Sequence, residues 1–125
     1  MTTQEVANEV TKLCREGKWE EIYERFFATD IKSIEPEGSP LGSVVGLEAI
    51  MEKGKQWEAM IEEFHSSEIS DPIVADNFFA LTMKSNVTFK GQSEPMDTDE
   101  VCVYNVRDGK IISEQFFYTP LAETV

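Results

Sequence analysis

The stretch EVCVYNVRDGKIISEQFFY, residues 100–118, decides the fold class of this chain. Its two halves are rich in β-branched and aromatic residues, which favour strands. They are separated by Asp108-Gly109, a pair that favours a type I′ hairpin turn. The stretch therefore predicts two antiparallel strands, 100–106 and 111–118.

The rest of the chain adds one more long strand and three helices. Residues 79–90 alternate between apolar and polar side chains, which is typical of a strand with one buried face. Upstream of that strand, apolar residues recur at helical spacing in three segments, and a brief strand lies between the second and third. The predicted helices are 3–16, 18–27 and 46–62, and the brief strand is 31–35. Helices followed by an antiparallel meander predict one α+β domain over residues 1–125.

Composition argues against several classes of partner. The 125 residues include 24 acidic and 11 basic ones, which gives a formal net charge of −13. Such a charge repels phosphate backbones and anionic lipids, so we expect neither nucleic-acid nor membrane binding. The N-terminus resembles no secretory leader, and no apolar run approaches the roughly 18 residues of a membrane span. We therefore expect a cytoplasmic protein, with Cys14 and Cys102 as buried free thiols.

Four short motifs, in this order and spacing, connect the chain to a known family. The chain resembles the SnoaL-like and ketosteroid-isomerase-like branch of the nuclear transport factor 2-like superfamily, and the resemblance spans nearly its whole length. The motifs are Gly17-Lys18-Trp19, Phe26-Phe27-Ala28-Thr29-Asp30, Gly46-Leu47-Glu48-Ala49-Ile50 and Val106-Arg107-Asp108-Gly109-Lys110-Ile111.

This resemblance implies a cystatin-like cone. Three N-terminal helices would pack on a strongly curved, mainly antiparallel sheet that encloses an apolar pocket for a small apolar molecule. It also implies a homodimer through the outer sheet face. No cofactor and no metal ion are implied.

Glu35 is the first candidate catalytic residue. It directly precedes Pro36, and in ketosteroid isomerases the carboxylate that shuttles a proton precedes a proline in a closely similar segment. A carboxylate at the mouth of a pocket can abstract a proton next to a carbonyl group. The alternative is a solvated glutamate on the surface of an acidic protein.

Glu100 is the second candidate. Strand alternation places Glu100, Cys102 and Tyr104 on one face, and the resemblance suggests that this face looks into the cone. Glu100 would then lie near the isomerase position at which a protonated carboxyl donates to the developing oxyanion. Asp99 competes for that position, and residues 97–100 also fit a simple exposed acidic turn.

His65 and Tyr118 complete the candidate catalytic set. His65 is expected at the start of a strand, where a SnoaL-like cyclase could use a histidine to position or polarise its substrate. The alternative is that His65 is a structural or surface residue. Tyr118 can offer a hydrogen bond inside the pocket. The apolar and aromatic side chains that we expect to line the pocket are Trp19, Phe26, Trp57, Met83, Cys102, Tyr104 and Phe116.

Departures from the family patterns leave two functions open. The main oxyanion donor of the isomerases, a tyrosine in the first helix, is replaced by Val10 or Thr11. SnoaL-like cyclases commonly have an acidic residue near the end of the last strand. Apart from Glu114, this chain has no acidic residue there. The first hypothesis is a cofactor-independent isomerase, cyclase or dehydratase. The second is a non-catalytic module that binds a ligand or only dimerises.

Overall fold

The structure, a computed structural model, describes residues 1–120. It is an α+β fold in which three helices pack on one curved, mainly antiparallel sheet, as predicted. The elements in chain order are α1 (Thr3–Arg15), α2 (Trp19–Phe26), β1 (Phe27–Ile34), β2 (Val44–Val45), α3 (Leu47–Met60), β3 (Ile61–Ile69), β4 (Ile73–Ala75), β5 (Phe78–Phe89), β6 (Met96–Arg107) and β7 (Lys110–Phe117).

The helices cover the sheet with their apolar faces. α1 begins with a capping box, in which Thr2 and Glu5 satisfy each other's free backbone N–H groups. The buried side of α2 carries Ile22 and Phe26. Trp19 was expected on that side, but it is 38% exposed. That prediction was wrong because Trp19 is the first residue of a two-turn helix and lies beyond the part that reaches the core.

The strands form one open sheet in the order β2-β1-β7-β6-β5-β3, and β4 pairs with β5. Among the described strands, β1 and β7 form the parallel pair, and the other pairs are antiparallel. The predicted hairpin joins β6 to β7. Both of its turn residues, Asp108 and Gly109, have positive φ angles, as a type I′ turn requires.

Burial alternates along the two longest strands. Phe79 and Leu81 of β5 and Cys102 and Tyr104 of β6 are all buried, and their neighbours in sequence are more exposed. The predicted face of Glu100, Cys102 and Tyr104 is therefore the inner face of the sheet, against which the helices pack.

Two boundaries differ from the predictions. β1 begins at Phe27, four residues before the predicted Ile31, because α2 passes into the strand with no loop between them. α3 likewise passes directly into β3, whose residues are nearly all exposed and therefore show no alternation. Within residues 1–120, no helix is both long and apolar enough to cross a bilayer.

Candidate functional site

Glu35 lies just past the end of β1, where strand alternation turns its side chain inward. Ile31 and Ser33 precede it on the buried face of the strand. The Glu35 amide donates to Ser43 Oγ at 2.9 Å, which fixes the start of the following loop. The Glu35 side chain is only 6% exposed, and its two oxygens accept hydrogen bonds from Tyr118 at 2.7 Å and Lys53 at 3.2 Å.

Lys53 reaches this carboxylate from α3. The residue is buried, with 8% of its surface exposed. Its Nζ also donates to Ser33 Oγ at 2.5 Å and lies 5.5 Å from the centre of the Phe116 ring. Ser33 in turn donates to Glu114 Oε2 at 2.7 Å. The buried Lys53 ammonium group therefore contacts Glu35 directly and is linked to Glu114 through the Ser33 hydroxyl.

Glu100 approaches the same space from β6. Met83 is its partner on β5, and its neighbour on the inner face is Cys102, whose Sγ donates a weak hydrogen bond to Glu100 Oε1 at 3.7 Å. Burial, with the nearby charge of Glu35, raises the pKa of Glu100 to about 7. This carboxyl therefore carries a proton in a large fraction of molecules at neutral pH and can donate a hydrogen bond.

Glu114 is the third carboxyl of the group. Burial raises the pKa of Glu114 to about 7, although the Ser33 hydrogen bond and the Lys53 charge act in the opposite direction. It pairs across the strands with Tyr104 and is 6% exposed. Glu114 is therefore a deep carboxyl that changes its protonation state near neutral pH.

Tyr118 lies at the outer end of the group, one residue past β7. Its hydroxyl donates to Glu35 and is in turn hydrogen-bonded to Ser39 in the loop after β1. Burial, with the charge of Glu35, raises the pKa of Tyr118 to about 12. The phenol therefore stays protonated and remains a hydrogen-bond donor at neutral pH.

The structure brings together three of the four residues predicted to be catalytic. Glu35, Glu100 and Tyr118 lie within one group, with Met83, Cys102, Tyr104 and Phe116 beside them on the inner face. The fourth, His65, does not join them. It lies near the middle of β3, where Nε2 is 2.8 Å from Thr88 Oγ1 and Nδ1 is 4.0 Å from Glu63. Thr88 points to the outer face, so His65 is on the wrong side of the sheet for the predicted role.

The remaining predicted pocket residues lie elsewhere in the core or in solvent. Phe26 is 2% exposed and packs in the hydrophobic core between helices and sheet. Trp57 packs edge-on against Phe89, with ring centres 5.6 Å apart, one helical turn beyond Lys53. Trp19 is exposed, as noted above. Two surface depressions of about 370 and 350 Å³ lie beside α1 and on the outer sheet face, away from Glu35, so a cavity inside the cone stays a prediction.

Three functional candidates escaped the sequence analysis. Lys53 lies three residues after Ile50 and four before Trp57, which places it on the apolar face of α3. A charged residue on that face was the sequence signal that could have identified it. Ser33 and Glu114 could have been found by strand alternation. Ser33 lies two residues before Glu35 and therefore on the same face, and Glu114 lies opposite Tyr104 in the hairpin and therefore shares its face.

The arrangement favours acid–base chemistry over the other chemistries considered. Val10 and Thr11 are buried, and the Thr11 hydroxyl donates to the Ala7 carbonyl of its own helix. The oxyanion donors available to a ligand are therefore Glu100 and Tyr118. In the part of the chain that the structure describes, no three His, Cys, Asp or Glu side chains are placed to hold a metal ion.

Comparison with known proteins agrees with this architecture. Residues 1–118 match the family model of the SnoaL-like domain. A crystal structure of a candidate SnoaL-like polyketide cyclase from Mesorhizobium loti is 36% identical with a TM-score of 0.87, covering 94% of this chain and all of that one. No curated protein sequence matches.

More distant structures share the fold. A cystatin-like protein of unknown function from Xanthomonas campestris has a TM-score of 0.76 at 19% identity, covering 94% of this chain and 90% of its own. IdmH, a candidate polyketide cyclase from Streptomyces antibioticus, has a TM-score of 0.69 at 16% identity, with 94% and 91% covered. The chain belongs to the SnoaL-like domain family.

Proposed function

We propose that this protein is a cofactor-independent acid–base enzyme that acts on a small, neutral carbonyl compound bound inside the cone. The observation that carries the proposal is the contrast between two neighbouring carboxyls. Glu35 accepts hydrogen bonds from an ammonium group and a phenol, whereas among residues 1–120 Glu100 accepts a weak hydrogen bond from the Cys102 thiol and feels the Lys53 charge without a hydrogen bond to it. Environments as different as these around two neighbouring carboxyls are typical of an acid and a base in one site.

The chemistry follows from these two environments. Glu35, as carboxylate, takes a proton from the carbon next to the carbonyl, and the electron pair moves onto the carbonyl oxygen. The protonated Glu100 donates a hydrogen bond to that oxygen, and the Tyr118 hydroxyl donates a second one when the ligand displaces it from Glu35, so that both stabilise the enolate. Glu35 then returns the proton to another carbon. The full sequence, with the proton returned to a different carbon, is an isomerisation, whereas the first step alone, formation of the enolate, also begins an aldol-type cyclisation or a dehydration.

Charge and family both support a neutral ligand of this class. The protein carries a net charge of −13 and the site holds three carboxyls against one lysine, so an anionic ligand is disfavoured. The Mesorhizobium loti relative and IdmH are named as candidate polyketide cyclases. Cyclases of that kind act on carbonyl compounds, which fits the donors and acceptors gathered here.

The alternative is a non-catalytic module that binds a ligand or only dimerises. One observation favours it: both oxygens of Glu35 already accept hydrogen bonds from protein groups, so a base role requires a ligand to displace or share one of them. The enzyme proposal is stronger because Glu100, the predicted donor, has no such competing partner.

We also propose that the protein acts in the cytoplasm as a homodimer. Its two cysteines, Cys14 and Cys102, are free and buried, which suits a reducing compartment. On the outer sheet face, Val101 and Phe117 are cross-strand partners and are 41% and 49% exposed. An apolar pair of this kind supports the expectation that the outer face is covered by a second copy.

Hydrogen–deuterium exchange tests the catalytic proposal. Cyclic ketones and enones are incubated in D₂O with the protein, and loss of the proton signals next to the carbonyl is followed by NMR. We expect the wild-type protein to accelerate exchange of at least one compound, and Glu35→Gln to lower that acceleration by about 10²–10⁴-fold. Glu37→Gln, a change at an exposed neighbour, is the matched control and should have no effect.

Exchange that is equal in the wild-type protein and Glu35→Gln would contradict the assignment of the base. Saturable binding of these compounds with no accelerated exchange would favour the non-catalytic module.

A further inference from the structure

Lys53 is buried in the site, and the reaction proposed above gives it no direct role. It is the one lysine among the buried residues of the described chain. Burial of an ammonium group is unfavourable unless it is paired and hydrogen-bonded. Within residues 1–120, Lys53 meets that condition through Glu35 and Ser33, which accept its two hydrogen bonds, and through the face of Phe116.

These contacts belong to one continuous chain of hydrogen bonds. It runs from Ser39 through Tyr118 to Glu35, and from Glu35 through Lys53 and Ser33 to Glu114. The first members lie at the loop after β1, and Glu114 lies deep on β7. Lys53 is the link at which the chain passes from one carboxyl to the other.

We propose that Lys53 is the positioning residue of the site and, with Ser33, joins Glu35 and Glu114 into a single acid–base unit. This inference rests on the proposed function, because it describes how the base of that reaction is held. The single positive charge of Lys53 interacts with both carboxyls, directly with Glu35 and through Ser33 with Glu114. When Glu35 is ionised, it pairs with Lys53 and its negative charge disfavours ionisation of Glu114; when Glu35 takes a proton from the ligand, the Lys53 charge favours the ionised form of Glu114 more strongly, and no proton passes between the two carboxyls in that step.

Other groups contribute to the electrostatics at Glu114. Glu35 disfavours its ionised form, whereas Lys53 and the Ser33 hydroxyl favour it. Cys14 of α1 and Tyr23 of α2 face Glu114 from the helices, and burial raises the pKa of each of them to about 12. Glu100, Cys102 and Tyr104 face it from β6. At neutral pH the cysteines and tyrosines are uncharged, so Lys53, Glu35 and Glu100 set the charge that Glu114 experiences.

The test is a titration of the glutamate side-chain carboxyls, labelled with ¹³C and followed by NMR in the absence of any ligand. In Lys53→Met, the pKa of Glu114 should rise above its wild-type value of about 7 by about one pH unit, because a stabilising positive charge is lost. Lys53→Arg should restore a value close to the wild type. Lys55→Met, on the exposed side of the same helix, is the matched control and should not change it.

Ser33→Ala keeps the buried charge and is the second variant, should Lys53→Met fold poorly. It removes the hydroxyl that donates to Glu114, so the pKa of Glu114 should again rise. An unchanged Glu114 titration in Lys53→Met or, where that variant does not fold, in Ser33→Ala would overturn the inference.

The titration and the exchange assay test different claims, so either one can give a negative result while the other gives a positive result. Because the titration uses no ligand, the coupling between Lys53 and Glu114 can be lost while Glu35 still catalyses exchange. Conversely, a protein without exchange activity can still show the coupled titration.

Discussion

Replacing Lys53 with methionine is expected to lower the free energy of unfolding by about 3–5 kcal/mol. Methionine fills a similar volume, so packing changes little. The loss arises because Glu35, whose side chain is 6% exposed, keeps a buried negative charge without its cation. Ser33 also loses a hydrogen-bond donor. Urea unfolding at pH 7 measures the difference.

Lys55→Met is the matched control for this prediction. Lys55 lies two residues further along α3 and is exposed, so its replacement should change the unfolding free energy by no more than about 0.5 kcal/mol. The double variant Lys53→Met, Glu35→Gln should lose less than Lys53→Met alone, because the stranded charge is gone. A loss below about 1 kcal/mol for Lys53→Met would mean that the ammonium group is not buried as described.

The second large effect is a fall in stability as pH rises from about 5 to 8. Glu100 and Glu114 have pKa values of about 7 in the folded protein against an ordinary value of 4.5. Between these values the folded state binds more protons than the unfolded chain, so each increase in pH favours unfolding. The stabilisation is complete below about pH 4.5 and is lost as pH passes 7. Each carboxyl can account for up to about 3 kcal/mol.

Glu100→Gln isolates one of these two contributions. The amide cannot ionise, so this variant should lose less stability between pH 5 and pH 8 than the wild-type protein does, as measured by urea unfolding at both values. Asp99→Asn, at the exposed neighbour on β6, is the control for removing one negative charge from an acidic protein. Equal pH dependence in Glu100→Gln, Asp99→Asn and the wild type would contradict the burial of Glu100.

Local patterns explain why much of the fold could be predicted from the sequence. Alternation along residues 100–104 correctly grouped Glu100, Cys102 and Tyr104 on one face of β6, the family resemblance correctly identified that face as the inner one, and Asp108-Gly109 correctly predicted the hairpin. The parallel pairing of β1 with β7 has no such local signal, because it joins residues about 80 positions apart. The strand expected to start at His65 is β3, but it begins earlier, at Ile61, and the sequence did not define its bounds because an exposed edge strand shows no alternation.

The candidate site was predictable only in part, for a physical reason. Glu35 and Glu100 were identified because they fall at or near the positions of the catalytic carboxyls in the ketosteroid isomerases that the chain resembles. Lys53 was missed because a lysine on a helix is usually solvated, and only the tertiary structure shows two acceptors and an aromatic ring around this one. His65 had the right chemistry, but a bulge between Phe64 and Ser66 and an outward-facing partner, Thr88, leave it outside the cone.

The central claim is that Glu100 and Tyr118 present hydrogen-bond donors to the oxygen of a small ligand inside the cone. A crystal structure of the protein soaked with 4-nitrophenol, whose phenolate resembles an enolate, tests this claim most directly. We predict that the phenol oxygen lies within about 3.2 Å of the Glu100 carboxyl or the Tyr118 hydroxyl, with the ring among Met83, Cys102 and Phe116. An interior filled by the protein's own side chains, with the phenol absent or bound only on the outer face, would contradict the claim.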